Sequence, residues 1–499
     1  MDVWSRFNSG PLSGCCRPAI FLCLLMAGCP RPSSDPNGAA ADSPLAGVKL
    51  RMLVVDDPAI AGAAGQLRGE WEAQTGSDFQ IEELTAEEFI DAGRPAGDWP
   101  DTDAVICPSD RLGFLAEKKL IAELPDSAMR HDDRDWAEIF ELPKLREASW
   151  GRRVRAVSFG SPLIVCYYRA DLLEELRRRP PRTWAEYRQL AEALADGGVR
   201  GETADENTPW SGTVEPLGPG WAAVVLLARA APYAKHRNNY STLFDIGTMV
   251  ALVSGEPFVR ALEELSAAAK LGPADQLQLD GDAARAAFWR GECGMALSWP
   301  TAAAGAGSSL PIDIGGNIEV GFCELPGSRD VYDVATRSWQ RRTEDEDWHV
   351  PLLCVAGRLG VVSAEADHPA AALQLLSWLS GRHFSRQVCA ASRATTLLRR
   401  SHLDDPRRWV EKPVSTAAAA GYGELTARSL MRQQWVFALR IPGRSEYMAA
   451  LDTAVNAVVK GGESPAEALQ QAAAQWDQIT ERLGVERQKA AYLHSLALE

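Results

Sequence analysis

Residues 48–71 read VKLRMLVVDDPAIAGAAGQLRGEW and contain the first complete strand–helix step of the chain. The mainly apolar residues 48–55 are typical of a buried strand. Asp57 followed by Pro58 favours an N-cap and the first turn of a helix. Apolar residues then recur at helical spacing at Ile60, Ala64, Leu67 and Trp71. We therefore expect a strand followed directly by a helix that ends before Gly76.

The same step repeats toward the C-terminus. A strand is predicted at 78–84, and the capping-box pair Thr85 and Glu88 begins a short helix after it. A further strand is predicted at 103–107, and a helix at 111–120 follows it. This βαβαβα order predicts an α/β fold with a parallel sheet and crossover helices. A second unit begins near residue 159. Its predicted strands lie at 163–168, 294–299 and 320–325, and its helices begin near 184, 221, 257, 282 and 464.

Length and charge limit the classes of function. The chain has 499 residues, 46% of them hydrophobic, which is enough for two or three domains with substantial cores. Its formal net charge is -15, and its basic residues form no block longer than 177–179. Because nucleic-acid binding needs a basic surface, nucleic acid is excluded as a main partner.

The cysteines and histidines show no metal-binding pattern. None of the cysteines after residue 29 forms a C-x-x-C pair, and the seven histidines lack the spacing of metal ligands. We expect neither a metal nor a cofactor. Most of these cysteines lie in apolar runs, which favours buried thiols, although disulfide bridges stay open. They are Cys107, Cys166, Cys293, Cys323, Cys354 and Cys389.

The first 29 residues resemble a bacterial lipoprotein signal. Arg6 and Arg17 precede the apolar run 19–26, which is too short to span a bilayer but fits the core of a signal peptide. The run leads into Leu-Met-Ala-Gly-Cys at 25–29, and in the lipobox that this resembles, cleavage precedes a lipid-carrying Cys29. Plain secretion with cleavage near Ala27 is the alternative. We predict a signal peptide at 1–28 and a flexible tether at 29–47.

Several segments, in this order, resemble bacterial extracellular solute-binding proteins of the maltose-binding type. Residues 181–186 match the family's P-x-T-W-x-E helix start, and 320–327 match a strand that ends in Pro-Gly. The other matching segments are 103–113, 168–173, 288–296, 442–447 and 464–469. Together they cover nearly all of residues 48–485.

The resemblance implies a two-lobed Venus-flytrap fold, in which each lobe is a sheet flanked by helices and hinge strands join the lobes. Lobe 1 would contain 48–159 and 326–395, lobe 2 would contain 160–325 and 396–485, and 486–499 would form a C-terminal tail. Crossings are expected near 160–161, 325–326 and 392–400. The Gly-rich stretch 302–317 is predicted to be a surface insertion.

Polar candidates for ligand binding follow the predicted strands of lobe 1. Asp56 and Asp57 come directly after the first strand, where carboxylates can accept hydrogen bonds from hydroxyl groups, although capping the next helix is the alternative. Asp110 and Arg111 resemble the family's ligand-binding Asp-Arg pair, with a helix cap and a surface arginine as the alternative. Ser161 is the polar residue nearest to the family's hinge carboxylate.

Aromatic candidates come mainly from lobe 2. Trp299 ends a predicted strand and Trp221 opens a helix, so either ring is a candidate platform for a sugar, whereas packing in the core is the alternative. Tyr447 lies where the family places an aromatic against the ligand. Glu215 is a further polar candidate in the loop before Trp221.

The function implied is that of a solute receptor and not of an enzyme. The sequence contains no G-x-S-x-G elbow, no H-E-x-x-H motif and no phosphate loop. We expect a monomer, lipid-anchored at the cell surface or in the periplasm, that captures a sugar or oligosaccharide and delivers it to an ABC transporter permease. The alternatives are a ligand-presenting sensor subunit, a binder of a polyol, polyamine or sugar phosphate, and, least of all, a glycoside-active enzyme.

Overall fold

The computed structural model describes residues 43–91, 101–125, 134–196, 209–303 and 318–498. The strands are β1 Lys49–Val55, β2 Asp78–Leu84, β3 Ala104–Pro108, β4 Ser149–Trp150, β5 Arg153–Val154, β6 Val157–Gly160, β7 Val165–Arg169, β8 Ser211–Val214, β9 Cys293–Ser298, β10 Val320–Glu324, β11 Asp330–Asp333, β12 Ser338–Arg341, β13 Leu352–Leu353, β14 Arg358–Val362 and β15 Val436–Phe437. The helices are α1 Pro58–Gln66, α2 Arg68–Thr75, α3 Ala86–Asp91, α4 Leu112–Glu117, α5 Arg134–Glu138, α6 Ala170–Glu175, α7 Trp184–Ala195, α8 Ala222–Ala234, α9 Glu256–Ala269, α10 Gly281–Trp289, α11 Pro369–Leu379, α12 Ser385–Ala391, α13 Thr416–Ser429, α14 Arg444–Val459, α15 Pro465–Leu483 and α16 Val485–Ser495.

The first sheet has the strand order β2-β1-β3-β14-β6. β1 pairs in parallel with β2 and β3, as the strand–helix alternation predicts, whereas β14 arrives from a distant part of the chain and pairs antiparallel with β3 and β6. The predicted cap is present, since the Asp57 carboxylate accepts the backbone N–H of Ile60 at 3.2 Å. The helix expected to end before Gly76 is divided at Leu67 into α1 and α2.

The second sheet has the order β10-β7-β9-β8 and is mixed. β7 pairs antiparallel with both β10 and β9, and only β8 and β9 are parallel. Helix α8 is apolar apart from Arg229, packs on α9 and α14, and is buried along its whole length. The expectation of an α/β fold is confirmed. In the first sheet, the expected parallel pairing is limited to β1, β2 and β3.

Within the described ranges, three segments run between the first sheet and either the second sheet or the helix α13 that packs on it. The first lies between the end of β6 at Gly160 and the start of β7 at Val165, the second leads from β10 toward β14, and the third follows α12. Gly160 has φ +109, and a Cβ at this position would lie 2.5 Å from the carbonyl oxygen of Thr396 in the third segment. Only glycine therefore permits this close approach of two connecting segments.

Two segments make packing contacts that the sequence pattern does not indicate. The β11–β12 hairpin falls within 326–395, the range assigned to lobe 1, but it packs on α8 and α9 of lobe 2. Arg260 of α9 joins it there through a contact of 3.2 Å with Asp330. The predicted tail at 486–499 is largely helix α16, which packs on α15 and also on α4 and β4. Contacts between residues far apart in sequence set both positions, and no local pattern signals them.

The predictions for the N-terminus and for the insertion fall mostly on residues that the structure does not describe. The signal peptide, Cys29 and most of the tether lie outside the described residues, and so does the insertion at 302–317 apart from its first two residues. None of the helices in the described ranges has the length and apolarity needed to cross a membrane.

Candidate functional site

The candidate site is the interlobe junction, where residues that follow β1 and β3 of lobe 1 approach residues that follow β8 and β9 of lobe 2. Two consecutive residues after α12 join the sides. Ser392 donates its hydroxyl to the Asp57 carboxylate at 2.5 Å, and the Arg393 carbonyl accepts the indole N–H of Trp299 at 2.8 Å. Strand ends of this kind are where open α/β sheets bind ligands.

Trp221 and Trp299 form the aromatic part of the junction. Their rings are stacked, with centroids 5.2 Å apart and planes inclined by 28°. Trp299 is 7% exposed, whereas Trp221 is half-buried. The first residue of α10 is Gly281, where a Cβ would lie 2.3 Å from the Trp221 ring. The absence of a side chain at Gly281 therefore leaves room for this ring.

Charged side chains of α10 hold the backbone at Trp299. Arg285 donates to the Trp299 carbonyl at 3.1 Å and to the Asp282 carboxylate at 2.7 Å. The other oxygen of Asp282 pairs with Arg393 in the connecting segment after α12. Arg285 also lies 3.3 Å from Glu411, and burial raises the pKa of that carboxyl group. No local pattern marks these charged residues as part of a site, because Trp299, Arg393 and Glu411, which they contact, lie on other segments.

Asp110 and Arg111 follow the end of β3, and Arg444 of lobe 2 contacts Asp110. The Asp110 carboxylate is 3.2 Å from Arg444 and 3.7 Å from Arg111. Asp110 Oδ1 is buried and accepts no hydrogen bond from the residues that the structure describes. Arg444 was missed, although it opens α14 directly after Gly443, a left-handed residue in the segment 442–447 that marked the family resemblance.

Asp56 and Asp57 differ in exposure. Asp56 has φ 53 and an exposed side chain, and its carbonyl accepts a hydrogen bond from Arg358 at 2.7 Å. Asp57 is buried, caps α1, and has Oδ2 2.9 Å from Nε of Arg358. Together with the Ser392 contact, both oxygens of Asp57 are engaged within the protein.

The remaining three predicted residues lie in packed surroundings. Ser161 donates to the carbonyl of Ala356 at 2.5 Å in the connecting segments. Glu215 is ion-paired in the interior of lobe 2. Tyr447 is fully buried, and its hydroxyl bonds to Thr480 at 2.9 Å. The structure thus brings Asp57, Asp110, Arg111, Trp221 and Trp299 to the junction, and it places Glu215 and Tyr447 inside lobe 2.

Comparisons with known proteins point to one family. The family model described as bacterial extracellular solute-binding protein matches residues 57–382. No curated protein matches the chain by sequence. Among solved structures, the sugar-binding protein MalE of Xanthomonas citri has a TM-score of 0.64 at 17% identity, and the match covers 87% of this chain and 98% of that one.

Two further structures resemble the chain to a similar degree. An ABC transporter solute-binding protein from Agrobacterium radiobacter K84, in complex with ribitol, has a TM-score of 0.62 at 18% identity, covering 88% of this chain and 100% of that chain. Maltose-bound MalE3 of T. maritima has a TM-score of 0.62 at 16% identity, covering 87% of this chain and 100% of that chain. At these identities the likeness establishes the fold.

Proposed function

Because this chain belongs to the family of bacterial extracellular solute-binding proteins, we propose that it captures a sugar, oligosaccharide or related polyol at the interlobe junction. It would then deliver the ligand to an ABC transporter permease. The observation that carries the proposal is the stack of Trp221 and Trp299, which follow β8 and β9, in a junction to which lobe 1 contributes the Asp110–Arg111 pair. The fold neighbours support this ligand class, since two were solved with ribitol and maltose and a third with D-mannitol.

The two halves of the junction provide complementary chemistry. An indole face packs against the C–H face of a sugar ring, and carboxylate and guanidinium groups hydrogen-bond its hydroxyls. Asp110 supplies an acceptor, and Arg111 supplies donors on a side chain that is 31% exposed. A polyhydroxylated ligand satisfies both kinds of group at once. A hydrophobic ligand would leave the charged side unpaired.

The ligand would be bound when the two lobes close on it by a hinge motion. The Asp110–Arg444 pair joins lobe 1 to lobe 2, so opening the lobes would break it, and the Trp299–Arg393 hydrogen bond joins lobe 2 to the connecting segment after α12. A ligand that contacts both lobes favours the closed form by its differential affinity for that form. We propose binding without chemical conversion of the ligand, and membership in a family of binding proteins supports this.

The test of the proposed function is a thermal-shift screen of the full chain in mild detergent against sugars, polyols, polyamines and amino acids. A true ligand at about 100 times its dissociation constant stabilises the folded state by about 2.7 kcal/mol. We expect a sugar or polyol to raise the melting midpoint and to be recovered unchanged after long incubation. Stabilisation by a polyamine or amino acid alone would overturn the ligand class, and consumption of the ligand would overturn the receptor function.

We also propose that Cys29 carries a lipid that anchors the protein to a bacterial membrane, with residues up to 47 as tether. Cys29→Ala is expected to move the protein from the membrane fraction to the soluble fraction, because it removes the attachment atom of the lipid. The measurement is fractionation of cells followed by immunodetection. Cys107→Ala, which leaves the N-terminal motif intact, is the matched control. Unchanged membrane pelleting of Cys29→Ala would contradict the anchor.

A further inference from the structure

Two cysteines lie directly opposite each other in the second sheet. In the antiparallel β7–β10 pair, Cys166 is in register with Cys323. Both are thiols in this structure, Cys166 fully buried and Cys323 half-buried. Other strand cysteines lack such a partner, since Cys107 faces Leu359 and Cys293 faces Ser211.

The register alone places the two residues within disulfide range. Directly opposed residues of an antiparallel pair have Cα atoms about 4.5 or 5.5 Å apart, depending on the hydrogen-bonding position. Disulfides bridge Cα separations of about 4.4–6.8 Å. A bond between Cys166 and Cys323 therefore needs side-chain rotation and little movement of the backbone.

The two cysteines differ in burial, and only Cys323 lines a groove at the surface. Cys323 lines a groove of about 500 Å3 between β10, α13 and the loop before α7, and its Sγ lies 3.9 Å from the carbonyl of Pro181. Cys166 lies behind it. Burial, followed by the neighbouring Cys323 thiol, raises the pKa of the Cys166 thiol. An external reagent would therefore react first with Cys323.

We propose that Cys166 and Cys323 form a reversible cross-strand disulfide, with a small-molecule or protein disulfide as the oxidant. The Cys323 thiolate attacks the oxidant, forms a mixed disulfide and releases one thiolate. Cys166 then loses its proton and attacks Sγ of Cys323, which releases the second thiolate. Two electrons pass to the oxidant, and its two thiolates take up the two protons. Because few Cys166 thiols are ionised, the second step is slow in the folded protein.

The bond would link β10, the outer strand of the second sheet, covalently to β7. β10 is an edge strand that ends at Glu324, where the chain leaves toward lobe 1. Glu324 is held by two contacts of 2.8 Å from Arg432, and this pairing lowers the pKa of Glu324 against the opposing effect of burial. The disulfide would lie one position before the end of β10, and because it would close a long loop, it would restrict the unfolded chain strongly. Oxidation therefore stabilises the lobe next to a connecting segment.

The test is differential alkylation of the full chain after treatment with oxidised glutathione at mildly alkaline pH. Free thiols are blocked in denaturant, the sample is reduced, new thiols receive a second label, and peptides are mapped by mass spectrometry. We expect the second label on Cys166 and Cys323. Before reduction, the peptides that contain these two cysteines should be linked, with a mass about 2 Da below the sum of the two free peptides. Cys107 and Cys293 should carry the first label. First label on both members of the pair, or glutathione retained on Cys323, would overturn the proposal.

A stability measurement gives a second readout. Oxidation is expected to raise the melting midpoint of the wild type by at least about 3 °C. Cys323→Ser removes one of the two sulfur atoms at a half-buried position and should show no shift, whereas the control Cys107→Ser should keep it. An equal shift in Cys323→Ser would contradict the bond. Neither experiment uses a ligand of the interlobe junction, so failure here and failure of the proposed function are distinguishable.

Discussion

Glu215→Ala is expected to lower the free energy of unfolding by about 3–5 kcal/mol, because it leaves a buried guanidinium unpaired. The Glu215 and Arg229 side chains are each 1% exposed, and their nearest N and O atoms are 2.5 Å apart. Arg229 also lies 3.9 Å from the centroid of the Trp184 ring, so it cannot turn toward water without disturbing the core. Urea unfolding at neutral pH, followed by circular dichroism, measures the loss.

Two variants control this experiment. Glu215→Gln keeps an acceptor for Arg229 and is expected to cost less than the alanine variant. The double variant Glu215→Leu, Arg229→Met replaces both charges by apolar groups of similar size and is expected to recover most of the stability. A loss below about 1 kcal/mol in Glu215→Ala, together with weaker ligand binding, would contradict the structural role and favour the ligand contact that sequence reasoning predicted.

Trp299→Ala is expected to weaken ligand affinity by about 10–100-fold, corresponding to about 1–3 kcal/mol. The substitution removes the ring that stacks on Trp221 and the indole N–H that bonds to Arg393, so it removes both an aromatic face and a link between lobe 2 and the connecting segment after α12. Isothermal titration calorimetry with the sugar or polyol identified by the thermal-shift screen measures the change.

The controls separate binding from folding. Trp378→Ala removes a tryptophan that packs on Trp71 in lobe 1, away from the junction, and should leave affinity unchanged. Trp299→Phe keeps a ring without the N–H and should lose less affinity than the alanine variant. Because Trp299 is 7% exposed, the melting midpoint of each variant is measured first, and titrations are made well below it. Unaltered affinity in a folded Trp299→Ala protein would reject the platform role.

Local signals in the sequence predicted local structure well. The capping box at Ser464 and Glu467 is present at the start of α15, and Thr183 accepts the backbone N–H of Glu186 at the start of α7. The family resemblance is confirmed by the match over 57–382. Caps and apolar stripes depend on residues a few positions apart, so they can be recognised before any tertiary contact is known.

The sequence by itself therefore determined the α/β class, the family and the strand ends from which candidate residues were chosen. The tertiary structure decided which of those candidates meet. It paired Asp110 with Arg444 and Trp299 with Arg393, it drew Tyr447 into the interior, and it placed two cysteines opposite each other. The partners in these contacts are separated by long stretches of chain. Short-range periodicity carries no information about them, because they meet only when the two sheets pack.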